Sequence, residues 1–378
     1  MIRFYRVTPV SVVFFRDPRP FTAGEQALAR LQFPPRLTPF LGALRTKYLE
    51  KKAEGKPIPQ LFPDIEGEIK GISAIWFSMF KDNAPILPLP CDIFVEWKSL
   101  FGERFVYEKP TDDDKPLSVP VLKQQSKVKS SFSGDLENGK GKLSPPQYIT
   151  LKGFLQYKSG SLPESSDLLP TNSLWEFENR VGIGLKPGAK TVERSKFYRM
   201  TVTRPLPGVG FLVGAEFPDN ADIPEIFDGT FTTRLGGEGH IAVWEKIDWI
   251  KGTQSSGKFR KIVSLSHIPI KRGGKPRLDV TNWCINKLDI ISGWDYKERR
   301  PKPLVKALCP GAVLSIKWLN GSIPSKVYKI SFGNHDSILI IKDLFVSMEK
   351  DSMKKDRPHL AEFEPELGEP NTLFVIKN

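Results

Sequence analysis

TFTTRLGGEGH, residues 230–240, is the stretch around which this chain is organised. It places Arg234 before three glycines, among them Gly236 and Gly237, and it ends in His240. Because glycine has no Cβ, backbone N–H groups of such a turn can approach a phosphate or another backbone segment closely. Glycines among β-branched and aromatic residues are equally typical of a hairpin turn or bulge. The stretch therefore predicts either a cationic ligand loop or a tight hairpin.

A second glycine-punctuated stretch, ENRVGIGLKPGAKTVERSKFYR, covers residues 178–199. It interleaves glycines with basic side chains, and its candidate anion-binding members are Arg180, Gly182, Gly184 and Lys186. Neither stretch ends in the Gly-Lys-Ser/Thr of a nucleotide-binding loop. A nucleoside triphosphatase is therefore not expected, and both stretches favour a surface for a polyanion.

Composition points in the same direction. The 378 residues can fill two domains, and the formal charge of +13 with a pI near 9.4 favours a polyanionic partner. Charge is also uneven, since residues 251–277 carry eight basic side chains and no acidic one. A ribosomal or membrane-surface role would fit the charge as well.

The cysteine content and the length of the apolar runs indicate the cellular compartment of the protein. The three cysteines, Cys91, Cys284 and Cys309, are widely separated and predict neither a disulfide framework nor a zinc site. No secretory signal pattern opens the chain, and no apolar run approaches the roughly 20 residues that span a bilayer. We therefore expect a soluble, cytoplasmic protein without a membrane partner.

The order of predicted elements indicates an α+β fold. A strand at 2–15, with a break possible at Thr8-Pro9, is followed by a helix from Thr38-Pro39 to Gly55 and by strands at 71–80 and 93–97. Strand, helix, strand, strand is typical of the opening of a ferredoxin-like unit. Further strands are expected at 197–203, 210–217, 241–249, 262–270, 312–319 and 338–345. They predict one unit over residues 1–250 and a second over 251–378.

An insertion is expected at about residues 109–169, where the sequence is polar and lacks sustained periodicity. Between Lys115 and Lys158 it has eight lysines against two acidic residues. Four aromatic residues are interleaved with the lysines, namely Phe132, Tyr148, Phe154 and Tyr157. Rings can stack on bases while lysines follow a phosphate backbone, which favours a protruding hairpin that touches nucleic acid over a disordered loop.

Residues for catalysis are few. The four histidines are His240, His267, His335 and His359, and none forms a metal-ligand pair in sequence. Asp112–Asp114 are three carboxylates in a row, which is more typical of a solvated turn than of a metal site. No serine lies in a nucleophile elbow. The sequence thus predicts no catalytic residue, no metal and no cofactor.

Five motifs, in this order, resemble one protein family. They are FFRDPRPF at 14–21, FPPRLTPFLGALR at 33–45, NRVGIGLKPGAKTVERSKFYR at 179–199, TRLGGEGH at 233–240 and PKPLVKALCPGAVLSIKW at 301–318. Together they resemble the third subunits of the Cmr complex, the type III-B CRISPR effector, within the repeat-associated (RAMP) superfamily. The resemblance implies two ferredoxin-like, RNA-recognition-motif-type domains with glycine-rich loops.

The resemblance also implies a role. A subunit of this family is expected to be non-catalytic and RNA-binding, to hold the 5′ tag of the CRISPR RNA (crRNA) in antiviral defence, and to contact the large polymerase-like subunit and the first backbone subunit. By motif, the RNA-binding candidates are Arg16, Arg19, Arg45, Asn179, Arg180, Gly182, Gly184, Lys186, Arg234, Gly236, Gly237 and His240. His240 stands where similar sequences usually have arginine. The lysine-rich part of the insertion corresponds by position to the thumb of the family.

Two other classes of function stay open. The chain could be a crRNA-processing endoribonuclease of the same superfamily that uses His240 or His267 as base with a nearby lysine. It could also be a scaffold that contacts only acidic protein partners.

Overall fold

The computed structural model describes residues 1–17, 28–53, 58–97, 105–108, 146–161, 163–185, 188, 191–219, 221–255, 261–272, 279–295, 300–317, 327–333, 336–342, 346–348 and 372–376. The described residues form three α-helices: α1 (Thr38–Ala53), α2 (Ile58–Gly71) and α3 (Leu151–Lys158). Strands of the first two thirds are β1 (Ile2–Pro9), β2 (Leu28–Ala29), β3 (Ser73–Lys81), β4 (Ala84–Pro88), β5 (Phe94–Trp97), β6 (Phe105–Glu108), β7 (Pro146–Thr150), β8 (Leu168–Pro170), β9 (Trp175–Leu185), β10 (Val192–Pro205), β11 (Val209–Glu216), β12 (Thr230–Arg234) and β13 (Ile241–Ile247). The remaining strands are β14 (Ile250–Ser255), β15 (Lys261–Ser264), β16 (Ile268–Arg272), β17 (Asp279–Cys284), β18 (Leu288–Ile291), β19 (Trp294–Asp295), β20 (Arg300–Pro301), β21 (Val305–Leu308), β22 (Val313–Lys317), β23 (Val327–Phe332), β24 (Asp336–Lys342), β25 (Val346–Met348) and β26 (Thr372–Ile376).

The first sheet is buried on both faces. Its strand order is β12-β13-β1-β11-β3-β4-β7-β8. Alternate residues of a strand point to opposite faces. Accordingly Tyr5, Val7 and Phe211 enter one core, while Phe4 and Leu212 enter another. The sheet therefore separates two hydrophobic cores.

Helix α1 covers one face of this sheet. Proline at its second position suits the first turn, where the backbone N–H has no intrahelical partner. Phe40 is fully buried, and its ring centroid lies 5.0 Å from that of Phe77 and 4.8 Å from that of Phe211. The expected helix is confirmed, and it packs across the middle of the sheet.

Helix α2 was not predicted from the sequence. The backbone carbonyls at its C-terminal end account for the hydrogen bonds of the Arg45 side chain. The guanidinium of Arg45 donates to the backbone oxygen of Ile72 at 3.1 and 2.6 Å and to that of Lys70 at 3.2 Å. Carbonyls at a helix end lack intrahelical partners, and a cation there is favourable. Burial lowers the pKa of Arg45. Its described hydrogen bonds thus serve the packing of α1 against α2, and the RNA contact expected for Arg45 stays a prediction.

The expected insertion needs correction in its second half. Residues 146–170 form β7, α3 and β8, and both strands belong to the first sheet. Tyr148, Phe154 and Tyr157, expected to stack on bases, are buried at 4%, 0% and 6% exposure. Helix α3, which Thr150 caps, has only eight residues, and this is too few for a helical repeat of apolar residues to be recognised in the sequence. Phe132 and the lysines of 109–145 lie outside the described residues.

A second sheet has the order β14-β23-β24-β26-β15-β22-β17. Four adjacent strands in each sheet share one arrangement, β13-β1-β11-β3 in the first and β26-β15-β22-β17 in the second. In both, the chain order of the four strands is fourth, first, third, second, and every neighbouring pair is antiparallel. The described residues are thus a mixed α and β structure with mostly antiparallel sheets, as expected.

The two sheets share a core. Trp76 of β3 and Phe332 of β23 lie 5.5 Å apart between ring centroids in an edge-to-face arrangement. A buried carboxylate, Asp92, accepts hydrogen bonds from the Tyr157 hydroxyl at 2.8 and 3.0 Å and pairs with Lys261 Nζ at 2.5 Å. Apolar and polar contacts therefore both join the two halves of the chain.

Candidate nucleic-acid interface

The segment that follows β1 is a buried ribbon. Residues 12–15 are all less than 5% exposed. Val13 exchanges two backbone hydrogen bonds with Thr203 of β10, at 2.8 and 2.9 Å. Arg16 forms an isolated bridge with Leu31, and its side chain is exposed. The ribbon therefore holds Arg16 at the surface by main-chain contacts on both sides.

The glycine-rich turn between β12 and β13 docks on this ribbon. Leu235 N–H donates to the His240 oxygen at 2.7 Å and closes the hairpin, while Gly237 N–H donates to the Phe14 oxygen at 2.7 Å. Gly236 has a φ of +75°, and a Cβ there would collide with the Phe14 carbonyl. The glycines thus permit a close approach to another backbone segment. The Gly237 N–H is already satisfied within the chain and is not part of a phosphate cradle.

The β9–β10 hairpin packs on the other side of the ribbon. Met200 and Val202 of β10 form a small core with Val12 and Phe14. Tyr198 lies across from Gly182, where any Cβ would collide with its ring. We call the assembly of residues 12–16, 178–182 and 234–240 the loop junction. It brings together the three motifs that carry the candidate arginines.

Arg180 lies on the exposed edge of the loop junction. Its Nη2 donates to Glu178 at 3.0 Å, and the same carboxylate accepts from Arg204 Nε at 2.6 Å. The Arg204 and Arg180 hydrogen bonds lower the pKa of Glu178. One carboxylate thus serves two guanidinium groups, and Glu176, the cross-strand neighbour of Arg204, adds a second negative charge beside them.

His240 is half-buried beside Arg180. Its pKa is lowered, first by burial and then by the positive charge of Arg180, against a smaller opposing effect of Glu238. The imidazole is therefore neutral at pH 7. It can exchange hydrogen bonds or stack at that pH, but it adds no positive charge to the junction.

Arg16 and Arg234 complete the set of cations. Both side chains are exposed, and neither forms an ion pair with a described residue. Asn179 is exposed on the opposite face of β9 from Arg180, and its side-chain oxygen accepts from the Thr201 hydroxyl at 3.0 Å. Gly184 lies further along β9, whereas Arg19 and Lys186 lie outside the described residues.

An open groove of about 490 Å³ lies on that opposite face. Its lining combines rings, a cation and side chains that can hydrogen-bond, and it consists of Arg30, Leu31, Phe33, Gln147, Thr171, Phe177 and Thr201. Phe177 is 46% exposed, and its ring stands perpendicular to Phe33 with centroids 5.5 Å apart. Such a lining suits a planar base. The sequence analysis missed this groove, although Phe177 and Asn179 share one face of β9 by simple alternation.

The two described histidines occupy different parts of the chain. His240 belongs to the loop junction, while His267 precedes β16, has a side chain only 3% exposed and lies 3.1 Å from Asp289. His335 and His359 lie outside the described residues. A base drawn from the loop junction would therefore have to be His240.

A search of the described part of the chain finds no helix long and apolar enough to cross a membrane.

The chain matches a known protein family. The model of a CRISPR-associated protein family, Cas_Cmr3, matches residues 5–368. Comparison with curated proteins finds no match.

Several solved structures are similar in part. Two are chains of cryo-EM structures of the type III-B Cmr-beta complex bound to cognate target RNA. The one that also holds AMPPnP is 14% identical over 83% of this chain and 86% of that chain, with a TM-score of 0.49. The other is 15% identical with the same coverage and TM-score. A chain of the Csm3-Csm4 subcomplex of a type III-A interference complex is 13% identical over 89% of this chain and 98% of that chain, with a TM-score of 0.42.

Proposed function

The chain belongs to the Cas_Cmr3 family of CRISPR-associated proteins, and from this membership we propose that it is a non-catalytic, RNA-binding subunit of a type III-B effector. In this role it holds the 5′ tag of the crRNA and joins the large subunit to the first backbone subunit in antiviral defence. One observation carries the proposal: the loop junction gathers Arg16, Arg180 and Arg234 around a single buried ribbon.

The fold supports the same assignment. We infer that the shared strand order of the two sheets reflects two ferredoxin-like units, residues 1–250 and 251–378. The proposed boundary falls at the first residue of β14, the first strand of the second sheet, whereas β13 belongs to the first sheet. A rigid pair of sheets suits single-stranded RNA, because it can present loops of fixed geometry to a flexible strand.

Phosphates and bases would be bound on different faces of β9. Arg180 and Arg234, which both belong to the loop junction, would offer charge-assisted hydrogen bonds to phosphate oxygens, which position the strand. The groove on the opposite face, with Phe177 at its rim, offers a ring and polar groups for a splayed base. The hairpin would thus lie between the backbone and a base of the tag.

Contacts with protein subunits would use exposed apolar side chains. The β9–β10 hairpin exposes Val181, Ile183 and Phe197 at 64%, 50% and 42%, and β18 exposes Ile290 at 53%. Contiguous exposed apolar side chains are typical of association surfaces.

Charge reversal tests the RNA contact. In a reconstituted effector complex, Arg180→Glu and Arg234→Glu should each weaken crRNA retention about tenfold or more, because a hydrogen bond to a charged group contributes about 1.5–3 kcal/mol. Lys329→Glu is the matched control, since Lys329 is exposed on β23 of the second sheet. Retention of crRNA by both arginine variants at the level of the control, with unchanged melting, would reject the assignment.

The endoribonuclease remains a second candidate because of His240. Its lowered pKa keeps the imidazole in the base form at neutral pH, as a general base requires. Incubation of the protein with repeat RNA distinguishes the two functions. The proposed function expects no cleavage without metal, and cleavage that His240→Ala abolishes would establish the enzyme instead.

A further inference from the structure

A separate group of side chains meets in the second half of the chain. His267 directly precedes β16, Asp289 lies in β18 and Cys309 directly follows β21. β21 lies between β16 and β18, with Ile268 and Leu288 both paired to Leu308. By this register the three side chains point to one face at one end of the sheet. Strands separated by up to 42 positions in sequence thus deliver an imidazole, a carboxylate and a thiol to one place.

The geometry of the group is that of a small coordination sphere. One nitrogen, oxygen or sulfur atom from each of the three residues lies within 4.8 Å of the other two, and His267 Nε2 is 3.1 Å from Asp289 Oδ2. Ligands at usual zinc distances in a tetrahedron lie about 3.3–3.8 Å from one another. Small side-chain rotations would therefore bring the three atoms around one ion.

Burial and orientation also suit a metal site. The side chains of His267 and Asp289 are 3% and 29% exposed, and Cys309 is 6% exposed, so the group opens to solvent only on the Asp289 side. Lys287 Nζ lies 3.3 Å from Asp289 Oδ1, which orients the carboxylate and leaves Oδ2 toward His267. Supporting contacts of this kind fix the ligands of metal sites. The open side leaves room for a water as fourth ligand.

His267 adds an independent observation. Its Nδ1 is buried without a hydrogen-bond partner in the structure. A buried polar atom without a partner is costly and needs an explanation. Because no described hydrogen bond holds a proton on Nδ1 or excludes one, the tautomer of the ring is not fixed, and Nε2, which faces Asp289, can offer its lone pair to an ion.

We propose that His267, Asp289 and Cys309 bind a single Zn²⁺ or a similar divalent transition-metal ion. A nitrogen, oxygen and sulfur donor set suits zinc, whereas Mg²⁺ and Ca²⁺ prefer oxygen ligands alone. Binding replaces the thiol proton of Cys309, which is released to solvent. The bound ion would tie β16, β18 and β21 together and stabilise the second half of the chain. This proposal is independent of the RNA-binding function.

Titration of the purified full chain with Co²⁺ and Zn²⁺ tests the site. Co²⁺ should give a thiolate-to-metal charge-transfer band in the near ultraviolet, and Zn²⁺ should displace it with a stoichiometry of one ion per chain. Cys309→Ser should abolish the band, and His267→Gln should weaken Zn²⁺ binding about tenfold or more. Cys284→Ser is the matched control, because Cys284 is also buried but donates its thiol hydrogen bond to the Cys91 oxygen.

The wild-type chain decides the outcome even if a variant fails to fold. Zn²⁺ should raise the melting temperature of the wild type and of Cys284→Ser, but not that of a folded Cys309→Ser. Absence of a cobalt band in the wild type, or a band that survives in Cys309→Ser, would overturn the proposal and leave a hydrogen-bonded cluster.

Discussion

At the loop junction, glycine residues allow close packing of the backbone, whereas arginine residues supply exposed positive charge. Gly236 and Gly237 let the hairpin turn reach the Phe14 carbonyl, while Arg16 and Arg234 remain exposed next to that contact. Loops that carry function gain precision when their backbones are anchored to a packed core. The glycines therefore fix the position of the exposed arginines, and in the proposed function they would affect RNA binding only through these neighbours.

Gly236→Ala should destabilise the protein by about 1–3 kcal/mol, because it combines a φ of +75° with a collision at Phe14. Gly239→Ala is the matched control, since Gly239 has a φ of +70° but open space around its Cβ position. Its cost should be limited to backbone strain, about 1 kcal/mol. Urea denaturation of both variants measures the difference. Equal losses would show that the docking on Phe14 contributes nothing.

His240 should make stability depend on pH. Its folded-state pKa is lowered, so the unfolded chain binds the proton more tightly, and stability falls as pH drops through the ordinary range of histidine toward the folded pKa. His240→Gln has no such proton to bind. We expect the stability of the wild type relative to His240→Gln to decrease between pH 7.5 and pH 5, as measured by denaturant melts. A constant difference would contradict the lowered pKa.

At the scale of elements, the β9–β10 hairpin has two different faces. Met200 and Val202 face the buried ribbon, whereas Phe177 and Val181 face outward. The two strands pair over most of their length, with a shift between Val192 and Phe197. Such a hairpin can present a groove on one face and stay anchored by the other, which explains how an exposed aromatic residue is held in place.

Phe177→Ala should weaken binding of single-stranded tag RNA by about 1–3 kcal/mol, the usual contribution of stacking between a base and a ring. Val181→Ala is the control, because Val181 is 64% exposed on the same face of β9 and does not line the groove. Fluorescence anisotropy with labelled RNA measures both. A loss of the same size for the two variants would point to a general change of the hairpin.

Salt dependence tests the phosphate contacts of the same element. Each contact should add about −0.7 to the slope of log affinity against log salt for a single strand. Arg180→Ala should therefore make the slope less negative by about one such increment, while Phe177→Ala should leave it unchanged. A slope that does not respond to Arg180→Ala would place the phosphate contact elsewhere.

At the scale of the whole molecule, a buried ionic cluster joins the two halves. Asp92 has a 6% exposed side chain and binds both the Tyr157 hydroxyl and Lys261 Nζ, and it lies beside the shared apolar core of Trp76 and Phe332. Burial, with the charge of Asp92, raises the pKa of Tyr157. The halves are therefore expected to unfold as one unit.

Asp92→Ala should lower the free energy of unfolding by about 1–3 kcal/mol, because it leaves the buried Tyr157 hydroxyl and the partly exposed Lys261 ammonium without their partner. Glu164→Ala removes the acid of an exposed pair, Glu164 with Lys152, at 59% and 64% exposure, and should leave the free energy of unfolding nearly unchanged, because solvent screens such a pair. Calorimetry gives both values and the number of transitions. Two separate transitions in the wild type would contradict a shared core.

The sequence by itself determined the elements with strong local signals. Proline after Thr38 and the spacing of Phe40, Leu44 and Tyr48 predicted α1. Alternation or apolar runs predicted four of the eight strands of the first sheet, namely β1, β3, β11 and β13. The order of five motifs gave the family. These features depend on residues that are close in sequence, so they can be predicted without knowledge of the fold. Helix α2 was missed because Pro59, Pro63 and Gly67 lie within it and are signals of a break in a helix. The eight-residue α3 was missed because it is too short to show a helical repeat.

Only the tertiary structure decided what each candidate side chain does. It assigned Arg45 to the carbonyls of Lys70 and Ile72, buried Tyr148 and Phe154, and turned the Gly237 N–H toward Phe14. It also brought His267, Asp289 and Cys309 to one end of a sheet. Composition and spacing fix the chemistry that a chain carries, but the pairing of distant strands decides which groups meet, which are satisfied internally and which remain exposed to a ligand.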